Sequence, residues 1–373
     1  MIPSTSKGCV VTKDLVFFSN PFGFGPTSKA IALMNSGKRL WHDVKIYYVT
    51  DSECEQIFND EDIHVLHANP RDSKQIEEAL SQFSYPYVVS SLNRFAVCAA
   101  HDKGLPNCFI DSLTWMWKEI PLEYLRTDLY FALNFPGLDK KIKQYPTVIK
   151  VPYIIDSYCT KEYITSDILI HIGGCMNPLT HSIPKTFLQI LAKVLTLHED
   201  KNIVLCGGAE AVQYIRPYID KRVQCLTVSK GMFLSCLQHT KHFVTTSGLN
   251  ASLEAFYYGV PTTFLMPTNL SQWNNLKIFQ KYCSDSSGVE WEDILQKKIF
   301  LDDKSEREAL PLLEKIACDV LHDSILLERA VNLLHTQLNY IPQTSKQKEF
   351  ITKLGTNGAD TIANILKQKW GLS

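Results

Sequence analysis

The chain has 373 residues, enough for two domains or one large one. Hydrophobic residues make up 45% and charged residues 21%, and the net charge is −1 with no basic block, which excludes the electrostatic footprint of a nucleic-acid binder. Eleven cysteines without a C-x-x-C pair read as reduced and intracellular; with no bilayer-length apolar run and no signal-peptide core, we expect a soluble cytoplasmic chain without integral membrane association.

Taken in order, Asp14 to Ser19 (DLVFFS) reads as a buried strand. The loop NPFGFGPTS follows, and then a helix from about Lys29 to Asn35. Further strands are expected at Val44–Thr50, Ile63–His67, Tyr87–Ser91, Cys108–Asp111, Leu129–Leu133 and Val148–Ile155, with helical stretches between several of them. A second series starts at Ile168–Ile172, which ends in Gly173-Gly174. It continues with a helix at Lys185–Leu197, a strand at Asn202–Cys206 ending in Gly207-Gly208, and a strand at Val223–Val228. The last third is helical. Strands alternating with helices imply parallel sheets covered on both faces. Two such series, separated near Ile155 to Ser166, imply two similar domains facing each other across a cleft. Ligands of such sheets sit beyond the carboxyl ends of the strands, where the turns at Gly23, Gly173 and Gly207 all lie.

The most informative stretch is Phe243 to Asn275. A short strand runs into the turn Thr246-Ser247-Gly248, and a helix begins near Asn250 and ends at Gly259. Pro261 opens a second apolar strand, Pro267 stops it, and a polar loop with Gln272 and Asn275 is expected next. The first N–H groups of a helix have no intrahelical partner and the helix dipole favours negative charge there, so this turn is a ready anion site. Asn250 and Glu254 lie one helical turn apart and share a face. The plainer alternative is a capped core helix in an ordinary α/β domain.

These residues carry a resemblance. Gly248, Asn250, Leu253-Glu254-Ala255, Gly259-Val260-Pro261, Pro267, Gln272 and Asn275 follow the order seen in the donor-binding segment of the two-domain GT-B glycosyltransferases. The segment resembles especially the UDP-glycosyltransferases and the lipid II GlcNAc transferase. The resemblance implies an α/β fold of two Rossmann-like doubly wound domains, an acceptor domain over residues 1–156 and a nucleotide-sugar domain over 157–345. It also implies a terminal helix within 346–373 that returns to the first domain. Gly248, Asn250 and the backbone at Ala251 and Ser252 would hold a diphosphate, Glu254 would accept from ribose hydroxyls, and Gln272 would touch the sugar. Thr246, Ser247, Gly173 and Gly174 would complete the donor site. The implied function is transfer of a sugar from a nucleoside-diphosphate sugar to a small-molecule acceptor, inverting and metal-independent. The nucleotide sugar is then a co-substrate, and no separate cofactor is required.

Three departures stand out. Relatives often carry histidine where this chain has Thr246, and an acidic residue where it has Ser271. Phe24 stands where relatives often place a general-base histidine, so a base must come from elsewhere. Asp111, at a strand end, is the leading candidate; its alternative is a loop hydrogen bond. Trp115 and Trp117 are either a sugar platform or core. His171 either faces the diphosphate as a second catalytic candidate or is structural. Asp60-Glu61-Asp62 is the only Asp-x-Asp pair, and it reads as a solvated loop rather than a metal site. Without the loop histidine, a nucleotide-sugar hydrolase or an epimerase stays open as an alternative, and Thr246 and Ser271 leave open a non-catalytic binding protein on the same fold.

Overall fold

The computed structural model describes residues 12–21, 23–51, 54–58, 63–174, 180, 182–198, 200–283 and 287–372. Asp60-Glu61-Asp62 lies outside the described residues. The first series forms β1 (Lys13–Ser19), α1 (Gly25–Leu40), β2 (Val44–Thr50), β3 (His64–His67), α2 (Ser73–Leu80) and β4 (Tyr87–Ser91). It continues with α3 (Arg94–Asp102), β5 (Asn107–Asp111), β6 (Leu129–Leu133), α4 (Leu138–Ile142) and β7 (Val148–Val151). The seven strands are parallel, in the order β3-β2-β1-β4-β5-β6-β7. β1 shows why the sequence reads as a continuous apolar run. Leu15 and Phe17 enter one core and Val16 and Phe18 another, so both faces of the strand are buried.

The second series repeats the plan. It comprises β8 (Ser166–His171), α5 (Lys185–Leu195), β9 (Ile203–Cys206), α6 (Ala209–Ile215), β10 (Gln224–Leu226), α7 (Lys230–Gln238), β11 (Thr240–Thr246), α8 (Leu249–Tyr258), β12 (Thr262–Leu265), α9 (Leu270–Tyr282) and β13 (Ser287–Gly288). The order is β10-β9-β8-β11-β12-β13, again all parallel. Strand order reverses beside β1 in the first sheet and beside β8 in the second, which places the second switch point at the ends of β8 and β11. Gly259 ends α8 in the left-handed region at φ 69°, as the sequence suggests.

One expectation needs correcting. Gln272 and Asn275 stand on α9, not in a polar loop. Asn269 caps that helix by accepting from the Gln272 backbone N–H, a cap hidden in the run TNLSQ.

Helices α10 (Trp291–Leu295), α11 (Glu306–His322) and α12 (Ser324–Asn339) complete the second domain, with α11 and α12 against α5. The end of the chain holds α13 (Ser345–Leu354) and α14 (Gly358–Trp370). Phe350 of α13 meets Phe135 of the first domain and Phe256 and Phe279 of the second, so one apolar core runs through the domain interface. α14 returns to the first domain and packs on α1. There Trp41 Nε1 donates to the Ala363 carbonyl at 3.1 Å and Lys13 Nζ to the Trp370 carbonyl at 2.6 Å. Among the described residues, no helix is long and apolar enough to cross a membrane, and none of the nine described cysteines is in a disulfide.

Candidate functional site

A cavity of about 1100 Å³ opens between the two domains at the ends of β8 and β11. His171, Gly173, Gly174, Thr246, Gly248, Asn250, Ala251, Glu254 and Gln272 all line it. Ser247, Ser252 and Asp111 do not. The sequence thus brings most of the expected donor residues to one wall, and the exceptions have clear structural work. Ser247 is fully buried; its hydroxyl donates to the Gln272 carbonyl at 2.7 Å and its own carbonyl accepts from Asn275 Nδ2 at 2.9 Å. Ser252 Oγ donates back to the Gly248 carbonyl at 2.6 Å. Both hydroxyls fix the turn rather than face the cavity.

Gly248 is extended and leaves the first turn of α8 without a side-chain cap. The N–H groups of that turn lack intrahelical acceptors, and its residues Leu249, Asn250 and Ala251 line the cavity together with Gly248. Gln272 Oε1 accepts from the backbone and hydroxyl of Thr268 at 2.8 and 3.0 Å, while its Nε2 makes no hydrogen bond within the described residues. The glycine turns permit close backbone approach. A Cβ on Gly174 would lie 3.0 Å from the Gly23 Cα of the opposite domain, and one on Gly208 would lie 2.5 Å from the Gly174 carbonyl oxygen.

The charged groups are mostly buried. Both Glu254 oxygens lie 2.5 Å from Lys230 Nζ, and both side chains are almost wholly buried. Burial pushes the Glu254 carboxyl up, and Lys230 opposes that shift. Lys29, on α1, is buried and places Nζ 2.5 Å from Asn250 Oδ1. The same oxygen accepts from the Tyr153 hydroxyl at 3.2 Å, and Asn250 Nδ2 donates to the Gly25 carbonyl at 2.8 Å. The Asn250 side chain therefore joins the domains. Burial pulls Lys29 down to about 7, with the Glu254 charge opposing.

His171 ends β8 beside Phe233, ring centroids 4.5 Å apart. Burial, and then the charge of Lys230, lowers it to about 3, so its imidazole is neutral near pH 7. Asp111 is fully buried behind the cavity wall. It accepts from the Tyr130 hydroxyl at 2.6 Å, Trp117 Nε1 at 2.8 Å and the Leu113 backbone N–H at 2.6 Å. Burial pushes its carboxyl up, with those bonds opposing. Trp117 lines the cavity, whereas Trp115 packs against Phe135. Lys29, Lys230 and Tyr153 were not legible as site residues in the sequence. The one signal for Lys29 is its place inside the apolar stretch of α1, beside Ala30, Ile31 and Leu33. No group of three or more His, Cys, Asp or Glu side chains that could hold a metal occurs among the described residues.

No protein-family model and no curated protein sequence matches the chain. Solved structures do. CalG4, the calicheamicin glycosyltransferase, aligns with a TM-score of 0.51 at 14% identity over 96% of this chain and 98% of its own. The co-structure of S. aureus MnaA with UDP gives 0.53 at 11% identity over 97% and 98%. The glycotransferase of kitacinnamycin gives 0.53 at 13% over 97% and 100%. Identities this low speak to architecture alone. With two facing Rossmann-like sheets and a C-terminal helix returned to the first, the chain has the GT-B fold.

Proposed function

We propose that this protein is a glycosyltransferase that takes a sugar from a nucleoside-diphosphate sugar, with inversion and without a metal, and passes it to a small-molecule acceptor. The observation that carries this is the uncapped first turn of α8, opening at the second-domain switch point into a cavity shared by both domains. N–H groups without intrahelical acceptors and a helix dipole stabilise a departing diphosphate. Gly248, Ala251 and the Asn250 backbone take the phosphates, and Gln272 Nε2 points a donor at the sugar. Two proteins of the same fold, the calicheamicin glycosyltransferase CalG4 and MnaA solved with UDP, support this reading.

The acceptor wall favours a second reading. Its described lining residues include the cations Lys29, Arg71, Arg94 and Lys118 but no histidine and no carboxylate. Phe24 lines the wall where a base is expected, and Asp111 is spent on internal hydrogen bonds. A hydrolase or epimerase, acting without an acceptor base, fits that wall as well. Thermal melts with UDP, GDP, TDP, CDP and ADP, each at saturating concentration, test the donor reading: at least one raises the melting temperature, because a ligand of the folded state stabilises it by mass action. No shift with any of them sinks it. Incubating the stabilising nucleotide's sugars without acceptor then separates the two reactions. Free sugar or an epimer formed at catalytic rates supports the second.

A further inference from the structure

We propose that Lys29 is the cation this protein offers to the donor's diphosphate, reaching across from the first domain and exchanging Asn250 for a phosphate oxygen. The inference rests on the donor reading above and adds the residue that Thr246 leaves wanting. Its basis is a contrast between two buried lysines on the same cavity. Lys230 is neutralised, with both Glu254 oxygens on its ammonium. Lys29 is 3% exposed, yet its hydrogen-bond partners are two neutral oxygens, Asn250 Oδ1 at 2.5 Å and the Gly25 carbonyl at 3.4 Å. Among the described residues no carboxylate lies within ion-pair distance of it.

A buried ammonium held only by neutral acceptors is costly unless an anion arrives. The place for that anion is adjacent. Asn250 is the second residue of α8, so the oxygen that holds Lys29 Nζ belongs to a side chain of the first turn of that helix. Lys29, Asn250 and Gln272 all line the cavity. The charges that face Lys29 from the packed elements are Glu254 on α8, Lys230 on α7 and Asp111 on β5, with the Tyr153 ring 5.8 Å from its Nζ. Glu254 and Lys230 cancel at close range, and Asp111 sits behind the wall. Lys29 is thus the uncompensated group. Because it belongs to the first domain and its partner to the second, phosphate binding there also holds the cleft shut.

The ammonium form is the one that binds. Burial brings Lys29 to about 7, and a bound diphosphate raises that value. Affinity therefore falls as pH rises from about 6.5 to 8.5, by about tenfold or more. Calorimetry of the full chain with the stabilising nucleoside diphosphate, and with the matching uncharged nucleoside, tests this at both pH values in wild type, Lys29→Met and Lys29→Arg. Lys29→Met is expected to lose about ten- to a hundredfold in diphosphate affinity at the lower pH, the worth of one charge-assisted hydrogen bond. Nucleoside affinity should stay as in wild type. Lys29→Arg should keep diphosphate affinity and lose the part of the pH dependence that the ligand's own titration does not supply. Diphosphate binding to Lys29→Met as tight as wild type overturns the inference and leaves the donor reading standing. If wild type binds no nucleoside diphosphate, both fall. Should Lys29→Met fail to fold, a pH profile of Lys29→Arg parallel to wild type is enough to overturn it.

Discussion

Two buried carboxylates, one in each domain, were reached by different chemistry. Asp111 ends β5 and Glu254 lies inside α8, and each is nearly or fully inaccessible to solvent. Asp111 is held by neutral donors of its own domain: a phenol, an indole and a backbone N–H. Glu254 is held by the ammonium of Lys230. The first arrangement uses up both oxygens behind the wall; the second keeps the carboxylate on the cavity surface with a charge beside it. A strand-end position alone does not make a carboxylate available for chemistry. What decides is how many donors its own fold already aims at it.

The larger effect on stability is expected at Glu254. Glu254→Ala strands Lys230 as an unpaired buried charge, and losing one partner of such a pair costs about 3–5 kcal/mol. Chemical denaturation should show that loss, while the double variant Lys230→Met/Glu254→Leu recovers most of it, since an apolar pair of similar volume is often as stable. A double variant no more stable than Glu254→Ala would mean that the pair is not what burial makes it.

The Glu254 helix was legible because its punctuation is local: strand, small-residue turn, helix, then Gly259 at positive φ before Pro261. The two-domain plan was legible for the same reason, as apolar runs at strand length repeat twice. The partner of Glu254 was not. Lys230 is 24 residues away and on another helix, and nothing local marks a lysine as buried. Lys29 was hidden likewise, because its contact spans 221 residues and both domains. The helical setting of Gln272 was missed because Asn269, a side chain that also suits loops, is the cap. Asp111 was placed at its strand end from sequence, but its three donors come together only in the folded sheet.

Asp111, held by neutral donors, gives a smaller effect. Asp111→Asn turns an acceptor-only group into one with an amide that must face a donor, either Leu113 N–H or the Tyr130 and Trp117 pair. A mismatched buried hydrogen bond costs about 1–3 kcal/mol, so the melting temperature should fall. Nucleoside-diphosphate affinity should not, because Asp111 does not line the cavity. A variant that melts like wild type yet loses turnover would instead make Asp111 the missing base.

The smallest effect concerns a third buried group, His171, which has no compensating charge and stays neutral instead. Its folded value is about 3 against an ordinary 6.5, so the unfolded chain takes up a proton there first as pH falls. The contribution of a lowered histidine is complete above about 6.5 and is lost progressively towards about 3. His242 and His198 are lowered by burial as well, each to about 4, and act in the same direction. His171→Phe, beside Phe233 and Phe243, removes one of these three protons without adding a charge. The drop in melting temperature between pH 7 and pH 5 should therefore be smaller in His171→Phe than in wild type, though not abolished. Equal drops would show that His171 takes up its proton as readily in the folded chain as in the unfolded one, against the lowered value that its burial implies.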